Sequence, residues 1–148
     1  MPENTHFIIE RVKARAGTLE LVFKDGEKGT VDVKRAVGSL RSVRGILDPQ
    51  VFQKARVVDL GRTVSWPGDE NWELAADTLR ARMIEQHGGF SHANLIEWMD
   101  RNELTLDQAA LELGMSRRML AYYRNGSKPI PKTVALACFG WEHQSQVL

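Results

Sequence analysis

The chain has 148 residues, of which 43% are hydrophobic and 26% are charged, and its formal net charge is +1. This balance is typical of globular proteins and excludes the disordered and fibrous classes. No apolar run reaches the roughly 18 residues of a transmembrane helix, and the first residues lack the basic and apolar segments of a signal peptide. Cys138 is the only cysteine, so no internal disulfide can form, and we expect a bacterial cytoplasmic protein without membrane contact.

The first half of the sequence carries the pattern of β-strands. Leu19, Leu21 and Phe23 alternate with polar neighbours, as the residues of a half-buried strand do. Two pairs that end in glycine, Asp25-Gly26 and Lys28-Gly29, favour turns. The predicted strands lie at residues 6–17, 18–26, 29–33, 55–61 and 62–67. Short helical turns are expected between the third strand and the fourth, so that the whole is an antiparallel meander with a small helix on one face.

A helix is predicted from Leu74 to His87. Its apolar side chains are expected near one face, and they are Leu74, Leu79, Met83 and Ile84. The charged side chains expected to point mostly away from that face are Arg80, Arg82 and Glu85. Gly88-Gly89 favours a helix end and a flexible joint. We therefore place the domain boundary there, with an α+β domain in residues 1–88 and a second domain in residues 89–148.

After the glycine pair the pattern changes to helices. Leu95, Trp98 and Met99 have the spacing of an amphipathic helix, and Thr105 with Gln108 predicts a capping box at the start of the next helix. The other signals of helix ends are Gly114 and Gly126 as stops, Ser116 as an N-cap, Pro131 as a first helical residue and Gly140 as an exit. Together these signals predict four short helices with brief connections.

The second and third of these helices have the signature of a helix-turn-helix, because a short turn that contains glycine joins them. Ala110 supplies the small side chain needed where they cross, and Gly114 accepts a left-handed backbone. The side chains expected in the shared core are Leu113, Met115, Leu120 and Tyr123. The third helix then exposes four residues toward base edges in the major groove, and these are Arg117, Arg118, Ala121 and Tyr122.

The distribution of charge favours the same surface. Between Leu113 and Trp141 the sequence has no acidic residue and five basic ones, Arg117, Arg118, Arg124, Lys128 and Lys132. Such a cluster attracts phosphate groups. Arginine can also bind guanine bidentately, a contact worth about 1–3 kcal/mol of discrimination between bases.

Residues 104–137 resemble the lambda-repressor/Cro-like helix-turn-helix family of the xenobiotic-response-element type. The matching positions are Leu104, Thr105, Ala110, Leu113, Gly114, Met115, Ser116, Leu120, Tyr123, Gly126, Pro129 and Pro131. The resemblance implies an all-α DNA-binding domain in which Arg117 and Arg118 read bases, while Thr105 and Asn125 touch the DNA backbone. Arg124 and Lys128 join the predicted backbone contacts because of their charge. One position departs from the family, since Leu106 stands where members often carry a glutamine that anchors a phosphate.

The first half resembles a small bacterial α+β domain of unknown function that also occurs fused to a repressor-like helix-turn-helix. The matching stretches are FKDGEKGTVDV, LDPQVFQKARVVD and VSWPGDENWELAADTL. This resemblance implies a fold and no activity.

Several residues have structural as well as functional explanations. The aromatic and acidic cluster of Trp66, Asp69, Glu70 and Trp72 is explained by a capped loop and helix start or by a partner surface. His87 and His92 lack a reliable metal-ligand spacing. No serine, cysteine or carboxylate pair comes with the base and the orienting group that catalysis needs. We therefore expect no enzyme activity, no metal site and no cofactor.

The preferred function is sequence-specific binding of double-stranded DNA by a transcriptional repressor. Its homodimer is expected to form through the N-terminal domain or through residues 141–148, since such domains bind paired half-sites. The structural explanation of Arg117 and Arg118 is a solvated helix face. The alternative function, favoured by Leu106 and the modest basicity, is a protein-interaction module or an antitoxin-like partner whose α+β domain binds another protein and whose helices serve autoregulation at most.

Overall fold

The computed structural model describes residues 4–38 and 40–147 of the chain. The chain divides into two compact units between Gln86 and His87. The first unit contains both strands and helices and the second contains helices, so the order expected from the sequence is confirmed. Among the described residues, none of the helices combines the length and the apolar character needed to cross a membrane.

In its described residues, the first unit contains two antiparallel sheets of three strands each. The first sheet has the order β1-β2-β3, where β1 is Ile9–Arg15, β2 is Thr18–Phe23 and β3 is Lys28–Asp32. The second has the order β4-β5-β6, where β4 is Arg56–Val58, β5 is Thr63–Ser65 and β6 is Glu73–Ala75. The predicted antiparallel meander is therefore divided between two separate sheets.

The predicted turn at Lys28-Gly29 and the predicted start of the helix at Leu74 are wrong. Lys28 and Gly29 form the start of β3 instead of a turn. A Cβ atom on Gly29 would lie 2.7 Å from the sulfur of Met83, which packs against the strand, so a larger residue there would displace the Met83 side chain. Leu74 belongs to β6, where it pairs with Val64, so the predicted helix begins only afterwards. Three residues were too few to distinguish this strand from the helix that follows it.

The helices of the first unit are short apart from the last. They are α1 (Val33–Val37), α2 (Pro49–Phe52) and α3 (Ala76–Gln86), with 3₁₀ turns at Thr5–Phe7, Arg41–Leu47 and Asp59–Gly61. Asp32 and Asp48 cap α1 and α2, each through a carboxylate oxygen that accepts a backbone N–H. Trp66 is buried and donates its indole N–H to the carbonyl of Phe52 at 3.0 Å. This bond ties α2 to the second sheet.

Arg80 on α3 was predicted to point away from the buried face, and this prediction is wrong. Its guanidinium lies 4.7 Å from the centre of the Phe23 ring and donates to both carboxylate oxygens of Asp25, at 3.2 and 2.9 Å. Burial by itself raises the pKa of Asp25. The hydrogen bonds from Arg80 and from the Glu27 amide outweigh this effect, so the pKa lies below its ordinary value.

We expect Arg80→Met to destabilise the first unit by about 1–3 kcal/mol at neutral pH, because it leaves a partly buried carboxylate without its charged partner. The folded pKa of Asp25 is below its unfolded value of about 3.9, so the carboxylate stabilises the fold above that value and the contribution is lost as the pH falls through the folded pKa. Urea unfolding at pH 7 and at pH 3 measures the effect. Asp25→Asn is the control, and a wild-type loss on acidification no larger than that of this variant would contradict the prediction.

The second unit consists of four helices in its described residues, as predicted. They are α4 (His92–Arg101), α5 (Leu106–Leu113), α6 (Arg117–Arg124) and α7 (Lys132–Val147). The buried core is formed by Leu95, Trp98, Met99, Leu106, Ala109, Ala110, Leu120, Val134 and Cys138. A capping box begins α4, in which Ser91 and Asn94 exchange side-chain and backbone hydrogen bonds.

The end of the chain differs from the prediction. Pro131 precedes α7 and its carbonyl accepts the first hydrogen bonds of that helix, from Val134 and Ala135. Gly140 lies inside α7 and does not end it. An interior glycine costs a helix about 1 kcal/mol. The packing of Trp141 edge-on against Trp98, with ring centres 5.5 Å apart, offsets that cost.

Candidate nucleic-acid interface

The turn between α5 and α6 sets the direction of the second helix. Gly114 has φ +68° and ψ +34°, the left-handed region that glycine enters at little cost. The next residue returns to the core, and its amide donates to the carbonyl of Ala110 at 3.0 Å. Ser116 then caps α6 by accepting a hydrogen bond from the Met119 amide. The predicted turn and cap are confirmed, and Ala110 is buried.

Leu120, Ala121 and Tyr123 anchor α6 in the core. Leu120 is fully buried, and Leu113, Met115 and Tyr123 pack against the same core cluster, as predicted. Arg118 stands two positions before Leu120 and so faces the opposite side of the helix, and both Arg118 and Arg117 in the first turn are exposed. The first turn of α6 therefore presents two cations to solvent.

Tyr122 gathers two of the basic residues into one cluster. Arg118 donates its Nε–H to the Tyr122 hydroxyl at 2.9 Å, and Lys128 places its ammonium 4.8 Å from the centre of the same ring. The two terminal nitrogens of the Arg118 guanidinium stay available, and these are the donors that recognise guanine or phosphate as a fork. Nothing in the sequence indicated that Lys128 returns over the ring from the loop after α6.

Arg117 is paired with a carboxylate on the other helix. Its Nε lies 2.8 Å from an oxygen of Asp107 in the first turn of α5. Both side chains are mostly exposed, and such pairs are worth about 0–1 kcal/mol. A stronger ligand can therefore displace the carboxylate. The count of charges after Leu113 missed Asp107, because that residue lies on the preceding helix.

The residues predicted to touch a DNA backbone have different environments. Thr105 caps α5, where its hydroxyl oxygen accepts from the Gln108 amide, and the hydroxyl hydrogen can still be donated. Asn125 accepts a hydrogen bond from the Ser127 amide. Arg124 is exposed and makes no side-chain hydrogen bond or ion pair among the described residues. Thr105 and Arg124 thus retain donors for an anion.

Two residues of the motif belong largely to the core. Ala121 is half-buried and packs against the core cluster, so the expectation that it lies on the exposed side is corrected. Leu106 is buried in the same cluster. In this chain the residue that departs from the glutamine pattern therefore serves packing.

The structure places two of the remaining sequence candidates, Trp72 and Cys138, in packed positions. Trp72 lies against Gly45 and Gly68, where an added Cβ atom would come within 2.2 and 2.8 Å of its ring. Within the described residues no three metal-ligating side chains come together. Burial, and then the charge of Glu142, raise the pKa of the Cys138 thiol to about 12, so at neutral pH it is an inert thiol.

The protein has two units, a mixed α/β first half and a helical second half that carries the basic surface. The chain belongs to the same family as a candidate DNA-binding protein of Nitrosomonas europaea ATCC 19718, whose crystal structure is similar along almost the whole length. The two share 37% sequence identity with a TM-score of 0.82, and the match covers 95% of this chain and 90% of that one. No protein-family model and no curated protein sequence matches the chain.

Proposed function

We propose that the protein is a sequence-specific DNA-binding transcriptional repressor, in which a lambda-repressor-like helix-turn-helix places α6 in the major groove. The cluster of Arg118, Tyr122 and Lys128 carries this proposal. It combines a pre-oriented guanidinium fork with a second cation from a different segment. The family relationship to a candidate DNA-binding protein supports it.

The proposed roles follow the environments of the side chains. Base reading belongs to Arg117, Arg118 and Tyr122, with Ala121 limited to an apolar contact by its partial burial. Contacts to the phosphate backbone belong to Thr105, Arg124, Asn125 and Lys128. On binding, Arg117 exchanges the carboxylate of Asp107 for a base or a phosphate.

The proposed repressor acts in the cytoplasm as a homodimer on two half-sites about one helical turn apart. The first unit or residues 141–148 supply the contact between the copies. Leu148 lies outside the described residues, as do the side chains of residues 145–147. Sedimentation equilibrium with and without an operator duplex tests the stoichiometry.

Selection of bound sequences from random duplex DNA tests the function itself. We expect enrichment of a two-fold-related motif that contains guanine, the base that arginine recognises most often. Recovery of unenriched DNA would remove the sequence-specific function. The same experiment with the Arg118→Ala chain is the matched control, because it keeps the fold and removes the fork.

We expect Asp107→Asn to raise the affinity for all duplexes by about 2–5-fold at low salt. The change removes a carboxylate near the phosphates and releases Arg117 from an exposed pair worth up to about 1 kcal/mol. Fluorescence anisotropy with a labelled duplex measures the shift. Asp100→Asn makes the same change of charge on α4 and is the control, and an equal gain in that variant would contradict the local explanation.

A further inference from the structure

The first unit carries a basic segment that the proposed function does not use. Residues 33–47, called the basic segment here, contain Lys34, Arg35, Arg41 and Arg44 and no acidic residue. All four side chains are exposed, and none forms a hydrogen bond or ion pair within the described residues. Elsewhere in the unit, by contrast, Arg15 and Arg80 are paired with carboxylates.

The carboxylates that flank the basic segment are already used by the fold. The Asp32 carboxylate accepts a hydrogen bond from the Arg35 amide. The Asp32 backbone N–H donates to the Gln86 side-chain oxygen at 2.7 Å, and its carbonyl accepts from the Gln86 side-chain nitrogen at 3.0 Å. Asp48 accepts from the Gln50 amide at 2.9 Å. Neither carboxylate is engaged with the four cations, so the positive charge of the segment is left for an external anion.

The backbone under these cations is fixed by apolar contacts. The segment buries Val33, Val37, Val43 and Ile46 in the core of the unit. Arg41 and Arg44 are three residues apart in the 3₁₀ turn Arg41–Leu47. Side chains at that spacing in a 3₁₀ helix project from the same side. The two guanidinium groups therefore project from the same side of a turn whose backbone is held by the core.

The composition of the exposed positions favours phosphate over a protein surface. Protein interfaces have an apolar, aromatic centre, and here Leu40 is the sole large apolar side chain exposed among the described residues of the segment. One aromatic ring, that of the half-buried Trp72, lies against the segment at Gly45. The cations at the exposed positions are arginine and lysine, which suit the phosphate backbone of a nucleic acid. We propose that the basic segment is a second phosphate-binding surface, which contacts the backbone of duplex DNA; this rests on the proposed function.

The full-length double variant Arg41→Gln/Arg44→Gln tests the proposal. Affinity is measured as a function of salt for the selected operator and for a random duplex. We expect equal fold-losses on both, and a salt slope smaller by about 2, because each lost phosphate contact removes roughly 0.9 from the slope. The matched control is Arg11→Gln/Lys13→Gln, which removes the same charge from exposed positions of β1. Circular dichroism melting verifies that both variants are folded.

Each other outcome has a defined meaning. An unchanged slope, a loss confined to the operator, or an equal loss in the control would overturn the phosphate surface. Capture of an acidic protein that depends on Arg41 and Arg44, with DNA binding unaffected, would also overturn it. A different result would refute sequence-specific repression and leave the phosphate surface standing. In that result the selection yields no operator, but the wild-type chain binds random duplex and this binding depends on Arg41 and Arg44.

Discussion

Trp98→Ala is expected to destabilise the helical unit by about 3–5 kcal/mol, the range for removal of a large buried aromatic side chain. Trp98 is only 2% exposed. Its indole N–H donates to the carbonyl of Cys138 at 3.0 Å, and its ring meets Trp141 edge-on. The substitution therefore leaves a cavity between α4 and α7 and removes the hydrogen bond that joins them.

The measurement is urea unfolding followed by the fluorescence of the tryptophans, of which Trp141 remains to report on the helical unit. The two units need separate transitions, since a chain of two domains need not unfold in one step. Trp98→Phe keeps most of the side-chain volume and should lower the free energy of unfolding by less than Trp98→Ala does. Phe139→Ala removes a ring that is 58% exposed and should change stability by less than about 1 kcal/mol. A loss below that of Phe139→Ala would show that Trp98 does not support the core.

Arg118→Ala should weaken binding to the selected operator by about 1–3 kcal/mol and relax the preference at particular base pairs. The fork that Tyr122 orients is lost, while the core under α6 keeps Leu120. Arg118→Lys keeps the charge without the planar fork. Its affinity for random DNA should therefore be closer to the wild-type value than its preference for particular base pairs is.

Lys128→Ala is the comparison for this prediction. Its ammonium lies over the Tyr122 ring and is expected to contact phosphate, so its removal should weaken all sequences alike and lower the salt slope by roughly 1. Selection from random DNA and salt titration with each variant separate the two effects. Equal, sequence-independent losses at Arg118 and Lys128 would contradict the assignment of base reading to Arg118.

Local signals predicted much of the second unit correctly. Thr105 with Gln108, Ser116 and Gly114 act through hydrogen bonds and backbone angles within a few residues, and such contacts are written in the local sequence. Gly140 and Gly29 were misjudged for the opposite reason. The helix continues through Gly140 to Trp141, which contacts Trp98 on another helix, and Gly29 lies in a strand against which Met83 packs.

The sequence alone determined the order of the two halves, the four-helix pattern of the second, and the gathering of basic residues after Leu113. Periodicity and capping are short-range properties, so a single sequence contains them. Only the tertiary structure decided that Arg117 meets Asp107, that Tyr122 lies between Arg118 and Lys128, and that the strands form two sheets. The ion pair and the two sheets depend on which segments pack together, because these partners become neighbours only in the folded chain. The position of Lys128 over the Tyr122 ring depends on the path of the loop after α6.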